Sequence, residues 1–297
     1  MSYYPIEFAK PPTPPPILYH YTSQIGLIGI VSRKQLWASN INYQNDTSEF
    51  RHGEELFWRT VEKRRPSARP QQKKFFQDLK RGPFIFEASE FFITSFTEAG
   101  DLLSQWRGYT PNGIGFSIGF AADIFLQPNL GPDSNVDFTL LKCIYDESEQ
   151  VSMAENWLEE CLSKWANHIK PSTQKAKIGE SRTFSIYPPL LFRIGLSFLS
   201  PIFKSPAFSE EKEWRLIGTC RKPDKMKFRQ GASMITPYLE VDIAESAKRL
   251  GVPPIASVTV GPCPNQELSS RSVQLLLESS GITESQVTQS RVSYRGW

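Results

Sequence analysis

Phe91-Phe92-Ile93-Thr94-Ser95-Phe96-Thr97 is the stretch that decides the fold. Aromatic and β-branched side chains fill six of its seven positions, the types that suit a pleated, half-buried strand. Glu98-Ala99-Gly100-Asp101 then reads as a turn and helix cap, followed by a short helix carrying Leu102, Leu103, Trp106 and Arg107. Pro111-Asn112-Gly113 is a second turn. It leads into residues 114–120, where glycine or serine alternates with apolar residues, so one face of that strand admits a close approach.

Upstream, Ile17-Leu18-Tyr19-His20-Tyr21-Thr22 is a short β-rich run, and Ser23 is placed to cap a helix containing Ile25, Ile28, Ile30 and Val31. Leu36-Trp37-Ala38-Ser39 reads as another strand. Asn40 to Asp46 is a polar loop with Asn45-Asp46 as its turn signal, and a helix follows from about Asp46 or Ser48 to Lys63. Downstream, strands are expected at 138–145, 214–218, 237–242 and 255–260, a mostly helical stretch at 150–203, and a last helix from about 265 to 279. The order is α+β. It implies one domain over 17–297 with a helical insertion at about 150–203, after a Pro-rich lead-in at 1–16 that favours polyproline II.

Composition excludes several classes. With 297 residues, 39% hydrophobic and 22% charged, the chain can bury a large core and is not disordered or fibrous. A net charge of +3 is too mild to argue nucleic-acid binding. Cys143, Cys161, Cys220 and Cys263 form no C-x-x-C pair, and there are three histidines, so no metal centre or disulfide framework is expected. The most apolar segment, 187–203, is interrupted by Pro188, Pro189, Arg193 and Pro201 and reads as buried helix, and Met1-Ser2-Tyr3-Tyr4-Pro5 lacks the pattern of a secretory signal. A cytoplasmic protein without membrane contact is expected.

Arg51 to Arg81 holds ten Lys or Arg residues interleaved with Phe57, Trp58, Phe75 and Phe76. It reads either as a solvated helical pair with its aromatics in a core, or as a basic surface for nucleic acid or another polyanion. The helical stripe Met153, Trp157, Cys161, Trp165 reads as core.

Four islands carry chemistry. In Tyr19-His20-Tyr21-Thr22, His20 and Thr22 share a strand face. Asn40 to Glu49 is either cap chemistry or a polar site. In Ser104-Gln105-Trp106-Arg107-Gly108-Tyr109, Trp106 and Tyr109 share a helix face. In Glu211-Lys212-Glu213-Trp214-Arg215, the two glutamates and Arg215 share a face and Trp214 points the other way. Three charges on one face do not fit a dry core unpaired, so that face is either solvent-exposed or lines a polar cleft. Paired carboxylates suit an oxocarbenium-like centre, and an arginine beside them suits phosphate or carboxylate.

Those islands come in a set order with Leu36-Trp37-Ala38-Ser39, Asn45-Asp46, Phe96-Thr97, Gly113-Ile114-Gly115-Phe116, Phe208 and Val260-Gly261-Pro262. The set resembles a widespread bacterial family catalogued as a domain of unknown function and found in phage-defence and abortive-infection loci. That family in turn distantly resembles the ADP-ribosyltransferases. The resemblance implies a mixed, mostly antiparallel split sheet with surrounding helices. It also implies NAD as substrate without a metal, and a macromolecular acceptor, protein or nucleic acid, unless water takes that place. An antitoxin or defence-system protein is an implied partner. In its terms Glu213 stabilises the ribosyl cation and His20 binds a ribose hydroxyl. Glu211-Lys212-Glu213 looks like the paired-glutamate motif of toxin-type members. Trp106 or Tyr109 stacks on nicotinamide, Arg107 or Arg215 meets the pyrophosphate, and Tyr21, Thr22, Asn45 and Ser95 complete the NAD contacts. His20 and Glu213 should then face one cleft from the same face of the sheet, and side chains on opposite faces would count against the transferase reading. A non-catalytic module sensing nucleotide or nucleic acid, and an NAD glycohydrolase, are the alternatives.

Overall fold

The computed structural model describes the chain except residues 1–10, 44–46, 82–89, 111–113, 128–129, 132–135, 137, 170–186, 232 and 294–297. In chain order its first elements are β1 (Ile17–Thr22), α1 (Gln24–Arg33), β2 (Gln35–Asn40), α2 (Thr47–Arg64) and α3 (Lys73–Arg81). Next come β3 (Phe91–Thr97), α4 (Leu103–Tyr109), β4 (Phe116–Ala121), β5 (Phe138–Lys142), α5 (Glu147–His168) and α6 (Pro188–Leu199). The chain continues through β6 (Glu213–Thr219), β7 (Lys227–Gln230), β8 (Ile235–Asp242), α7 (Ala244–Leu250), β9 (Ser257–Val260), α8 (Gln266–Ser279) and β10 (Gln286–Gln289). They fall into two compact units. One comprises the described residues of Pro12–Asn45, Ser89–Cys143 and Ala207–Trp297, and the other those of Asp46–Ala88 and Ile144–Pro206.

The first unit is a mixed, mostly antiparallel open sheet organised around β3, the strand most legible in the sequence. One edge of β3 pairs with β6 along its whole length, from Phe91↔Thr219 to Thr97↔Glu213. The other edge is shared. β1 meets it at Tyr19↔Thr97, and β2 at Ser39↔Ile93 and Asn40↔Phe92. The sheet therefore forks into two arms, β1-β4-β9-β10 and β2-β8-β7, with β9 and β10 the one parallel strand pair among the described residues. Extending the β1 register would pair Tyr21 with Ser95. Instead the Ser95 carbonyl accepts a 2.9 Å hydrogen bond from the His20 ring, and Thr94 Oγ1 donates to the Trp37 carbonyl at 3.2 Å. Buried backbone acceptors need such partners.

One face of this sheet buries Leu18, Phe92, Phe96, Ile118, Phe120, Trp214 and Leu216 in its core. Each such side chain contributes about 1.5–3 kcal/mol through removal from water. Ser23 caps α1 by accepting from the Gly26 amide at 3.2 Å, as the sequence suggested. The lead-in is tied down at Pro16, whose carbonyl accepts from Ala122 N. The strand expected over 138–145 stops at Lys142, and Ile144 makes a lone parallel bridge to Phe203. Strands β7 (Lys-Phe-Arg-Gln) and β10 (Gln-Val-Thr-Gln) were not expected. Both are largely exposed sheet edges, where charge and polarity replace the alternation that marks a half-buried strand.

The second unit is helical. Helix α5 packs on α2 and α6. Phe57 and Phe203 stack with centroids 5.6 Å apart, and the Trp157 indole donates to the Phe192 carbonyl at 3.2 Å. A Cβ on Gly195 would lie 2.1 Å from that indole, so only glycine fits there. Trp157, Cys161 and Trp165 are buried, as a core stripe requires. Within Arg51–Arg81, Phe57, Phe75 and Phe76 are core residues. Lys63 and Arg64 pair with Glu155 and Glu159, while Arg65 and Lys80 share Glu62. This corrects the basic-surface alternative in part: those aromatics offer no stacking surface to a polyanion, and four of the cations already have carboxylate partners. All four cysteines are free thiols, and among the described residues no helix is long and apolar enough to cross a membrane.

Candidate functional site at the sheet fork

The fork fixes His20. A carbonyl only accepts, so Nδ1 must carry the proton that bonds Ser95. Burial holds the imidazole pKa below its ordinary 6.5, and the Ser95 bond offsets this only in part. The ring is therefore neutral at pH 7, and Nε2 is left as a hydrogen-bond acceptor.

Strand β6 supplies the acidic wall. Period-two alternation puts Glu213 and Arg215 on one face and Trp214 on the other. Arg215 Nε donates to Glu213 Oε1 at 2.8 Å and Nη2 donates to Oε2 at 3.0 Å. Both residues are about 4% exposed, so the sequence's exposed-face alternative falls and the carboxylate is fixed in place. Just before the strand, Lys212 takes a left-handed conformation at φ 43°. That turn sets Glu211 beside Glu213, and Thr97 Oγ1 steadies it by donating to the Glu211 carbonyl at 2.6 Å.

Helix α4 forms the third wall. The Tyr21 hydroxyl donates to the Ala99 carbonyl and accepts from the Leu102 amide, both at 2.9 Å. Trp106 packs edge-on against Tyr21 at 4.6 Å, and its indole donates to Asp101 Oδ1 at 2.8 Å. Asp101 also accepts from Ser290 Oγ and the Arg291 amide. The helix, held this way, turns Gln105 and Tyr109 toward Glu211 and Glu213, and the Tyr109 hydroxyl donates to Glu211 Oε2 at 3.4 Å.

These walls enclose a cavity of about 50 Å³, opening to about 340 Å³ with its mouth. The enclosed part holds a water or two, or one edge of a sugar. It is bordered by Tyr19, His20 and Tyr21 of β1, Ser95, Phe96 and Thr97 of β3, Gln105 and Tyr109 of α4, and the two glutamates. His20 and Glu213 thus border one cavity although 193 positions separate them. They reach it from opposite faces, against the expectation of a shared one. Register puts Tyr19, Ser95, Thr97 and Glu213 on one side, and His20, opposite Ile118 and beside Phe96, on the other. The gap between β1 and β3 makes that possible.

Other expectations change. Trp106 is wholly buried and engaged by Asp101, so it is scaffold and has no free face for a nicotinamide ring. Tyr21 borders the cavity, but its hydroxyl is spent on the start of α4. Thr22 directs Oγ1 toward Gly26 and does not line the cavity. Arg107 is exposed on α4 and is not among the lining residues. Arg215 is committed to Glu213, which removes it as a pyrophosphate ligand. Asn45 lies outside the described residues. Tyr19, Thr97 and Gln105 went unnoticed as site residues, although Gln105 and Tyr109 are four apart on one helix, a spacing that marks a shared face.

A family model described as a protein of unknown function (DUF2971) matches residues 105–216. The matched residues include Gln105, Tyr109, Glu211, Glu213 and Arg215 of the site and leave out His20 and Ser95. No curated protein and no solved structure matches the chain.

Proposed function

We propose that this chain is an NAD-dependent ADP-ribosyltransferase-like effector, with the forked-sheet cavity taking the ribose next to nicotinamide. The observation that carries the reading is the Glu213 carboxylate, held at two points by Arg215 on the wall of a polar cavity also bordered by a neutral histidine and a second glutamate. Breaking the bond between ribose C1′ and the nicotinamide nitrogen sends the electron pair to nicotinamide and leaves an oxocarbenium-like ribose. Glu213 stabilises that charge. A nucleophile on the acceptor then bonds C1′, and its proton passes to Glu211. His20 Nε2 accepts from a ribose hydroxyl. The enclosed volume seats one sugar edge, so nicotinamide and the ADP portion lie in the mouth. Arg107, an exposed cation of α4 outside the lining, is the group offered for the pyrophosphate. The setting in phage defence, with an antitoxin-like partner, rests on the sequence resemblance.

Mass spectrometry after incubation with NAD and bacterial lysate tests this reading. ADP-ribose adducts on a macromolecule are expected with the wild type and should fall about 100-fold or more with Glu211→Gln or Glu213→Gln. Nicotinamide release without any adduct would make water the acceptor. One observation favours a second reading, a module that binds without turnover: both Glu213 oxygens are engaged by Arg215, as in a purely structural ion pair. Its signature is NAD binding with no nicotinamide released.

A further inference from the structure

The Gln105 side chain is 6% exposed and lines the cavity, yet its amide makes no hydrogen bond to any described residue. Its nitrogen and oxygen are not among the fully buried polar atoms that lack a partner, so the amide faces the cavity space and is open to bond what fills it. The groups around it narrow that ligand's chemistry. Neutral His20 offers an acceptor at Nε2, Glu211 and Glu213 offer carboxylate acceptors, and the Tyr109 hydroxyl is already given to Glu211. Gln105 therefore supplies a donor, beside the Tyr19 and Ser95 hydroxyls, in an acceptor-rich cavity. A phosphate or carboxylate brings no proton and adds like charge beside two carboxylates. A vicinal diol brings two O–H donors for the acceptors and lone pairs for the Gln105 amide.

We propose that Gln105 is a specificity-determining residue that reads the ribose diol of the substrate through its 2′-hydroxyl. This rests on the NAD reading above. The amide then accepts from or donates to that hydroxyl while the hydroxyl's other valence meets a carboxylate or His20.

The test compares wild type, Gln105→Leu and Gln105→Asn by calorimetric titration with NAD, with the analogue lacking the 2′-hydroxyl on the nicotinamide ribose, and with nicotinamide alone. Thermal melting without ligand is measured in parallel. Wild type should bind NAD about tenfold more tightly than the 2′-deoxy analogue, the usual worth of one such bond. Gln105→Leu should weaken NAD binding about tenfold, leave the analogue unchanged and keep the melting temperature within about 2 °C of wild type, since the amide bonds no described residue. A structural role would lower that temperature instead. Gln105→Asn should recover part of the discrimination. Equal binding of NAD by wild type and Gln105→Leu overturns the proposal while the NAD reading stands, as does tight binding of nicotinamide alone that depends on Gln105. Absence of NAD binding by the wild type removes both.

Discussion

Strand β6 carries a charged cluster on each face, and the two are built to different ends. On one face Glu213 and Arg215 are desolvated and doubly hydrogen-bonded to each other, with Glu213 set on a cavity wall. On the other, Glu98 accepts from the buried Trp214 indole at 3.0 Å and pairs with Lys142 at 2.8 Å, and the ammonium lies 5.7 Å from the indole centroid. The Lys142 and Glu98 side chains keep 36% and 24% of their surface in solvent. The ingredients match, but water decides what each is worth. The screened pair adds little to stability and depends on salt. The buried pair adds little net stability either, because desolvation offsets attraction, yet it is costly to break from one side. A pair of the second kind is hard to justify as a stabiliser, and its place on the cavity wall supplies the justification.

The largest effect expected from breaking this contrast is on the buried side. Arg215→Met should lose about 3–5 kcal/mol in urea unfolding, because the buried Glu213 carboxylate loses both hydrogen bonds from the guanidinium. The double variant Glu213→Met with Arg215→Met should return to within about 1 kcal/mol of wild type and remain inactive. Equal losses in the single and double variants would mean that shape, not charge, is what the pair provides.

His20 extends the contrast to pH. Its folded pKa lies below the ordinary 6.5, so below that value the unfolded chain binds more protons. Stability should therefore fall as pH drops from 6.5 toward the folded value, with a slope of at most about 1.4 kcal/mol per pH unit from this group, and His20→Asn should remove that slope. NMR titration of the ring checks the sign directly.

At the part-solvated pair, Lys142→Ala should lose no more than about 1 kcal/mol, and most of that difference should vanish in 1 M salt. Burial alone would raise the Glu98 pKa, but hydrogen bonds from Lys142 and Trp214 bring it below the ordinary 4.5. This contribution is present above 4.5 and is lost as pH falls through the folded value. Glu98→Gln should flatten that acid limb.

Period-two patterning made one side of this contrast legible. It separated Trp214 from Glu213 and Arg215, and aromatic and β-branched runs gave β1, β3 and β6 within a residue or two. It could not say that Arg215 turns to Glu213 instead of a ligand, because partner choice is settled by three-dimensional geometry. Trp106 was misplaced for a related reason: an i, i+3 spacing with Tyr109 shows a shared helix face but not whether Tyr21 and Asp101 wait behind it. The fork depends on β1 and β2 sharing one edge of β3, a long-range pairing that local sequence does not carry.

The smallest effect concerns the turn that joins the two glutamates. Lys212 occupies the left-handed region, which favours glycine. Lys212→Gly should raise stability by a few tenths to about 1 kcal/mol. It should also loosen the Glu211 carboxylate, lowering activity while the melting temperature rises.

The most direct measurement is chromatographic quantification of nicotinamide released from NAD by the purified chain, beside Glu211→Gln and the Glu213→Met, Arg215→Met pair, each verified as folded by circular dichroism. Release by the wild type and loss of about 100-fold or more in both folded variants is the expected result. Release that persists in both variants, or none from the wild type at saturating NAD with lysate present, would contradict the assignment of this cavity to glycosidic-bond cleavage.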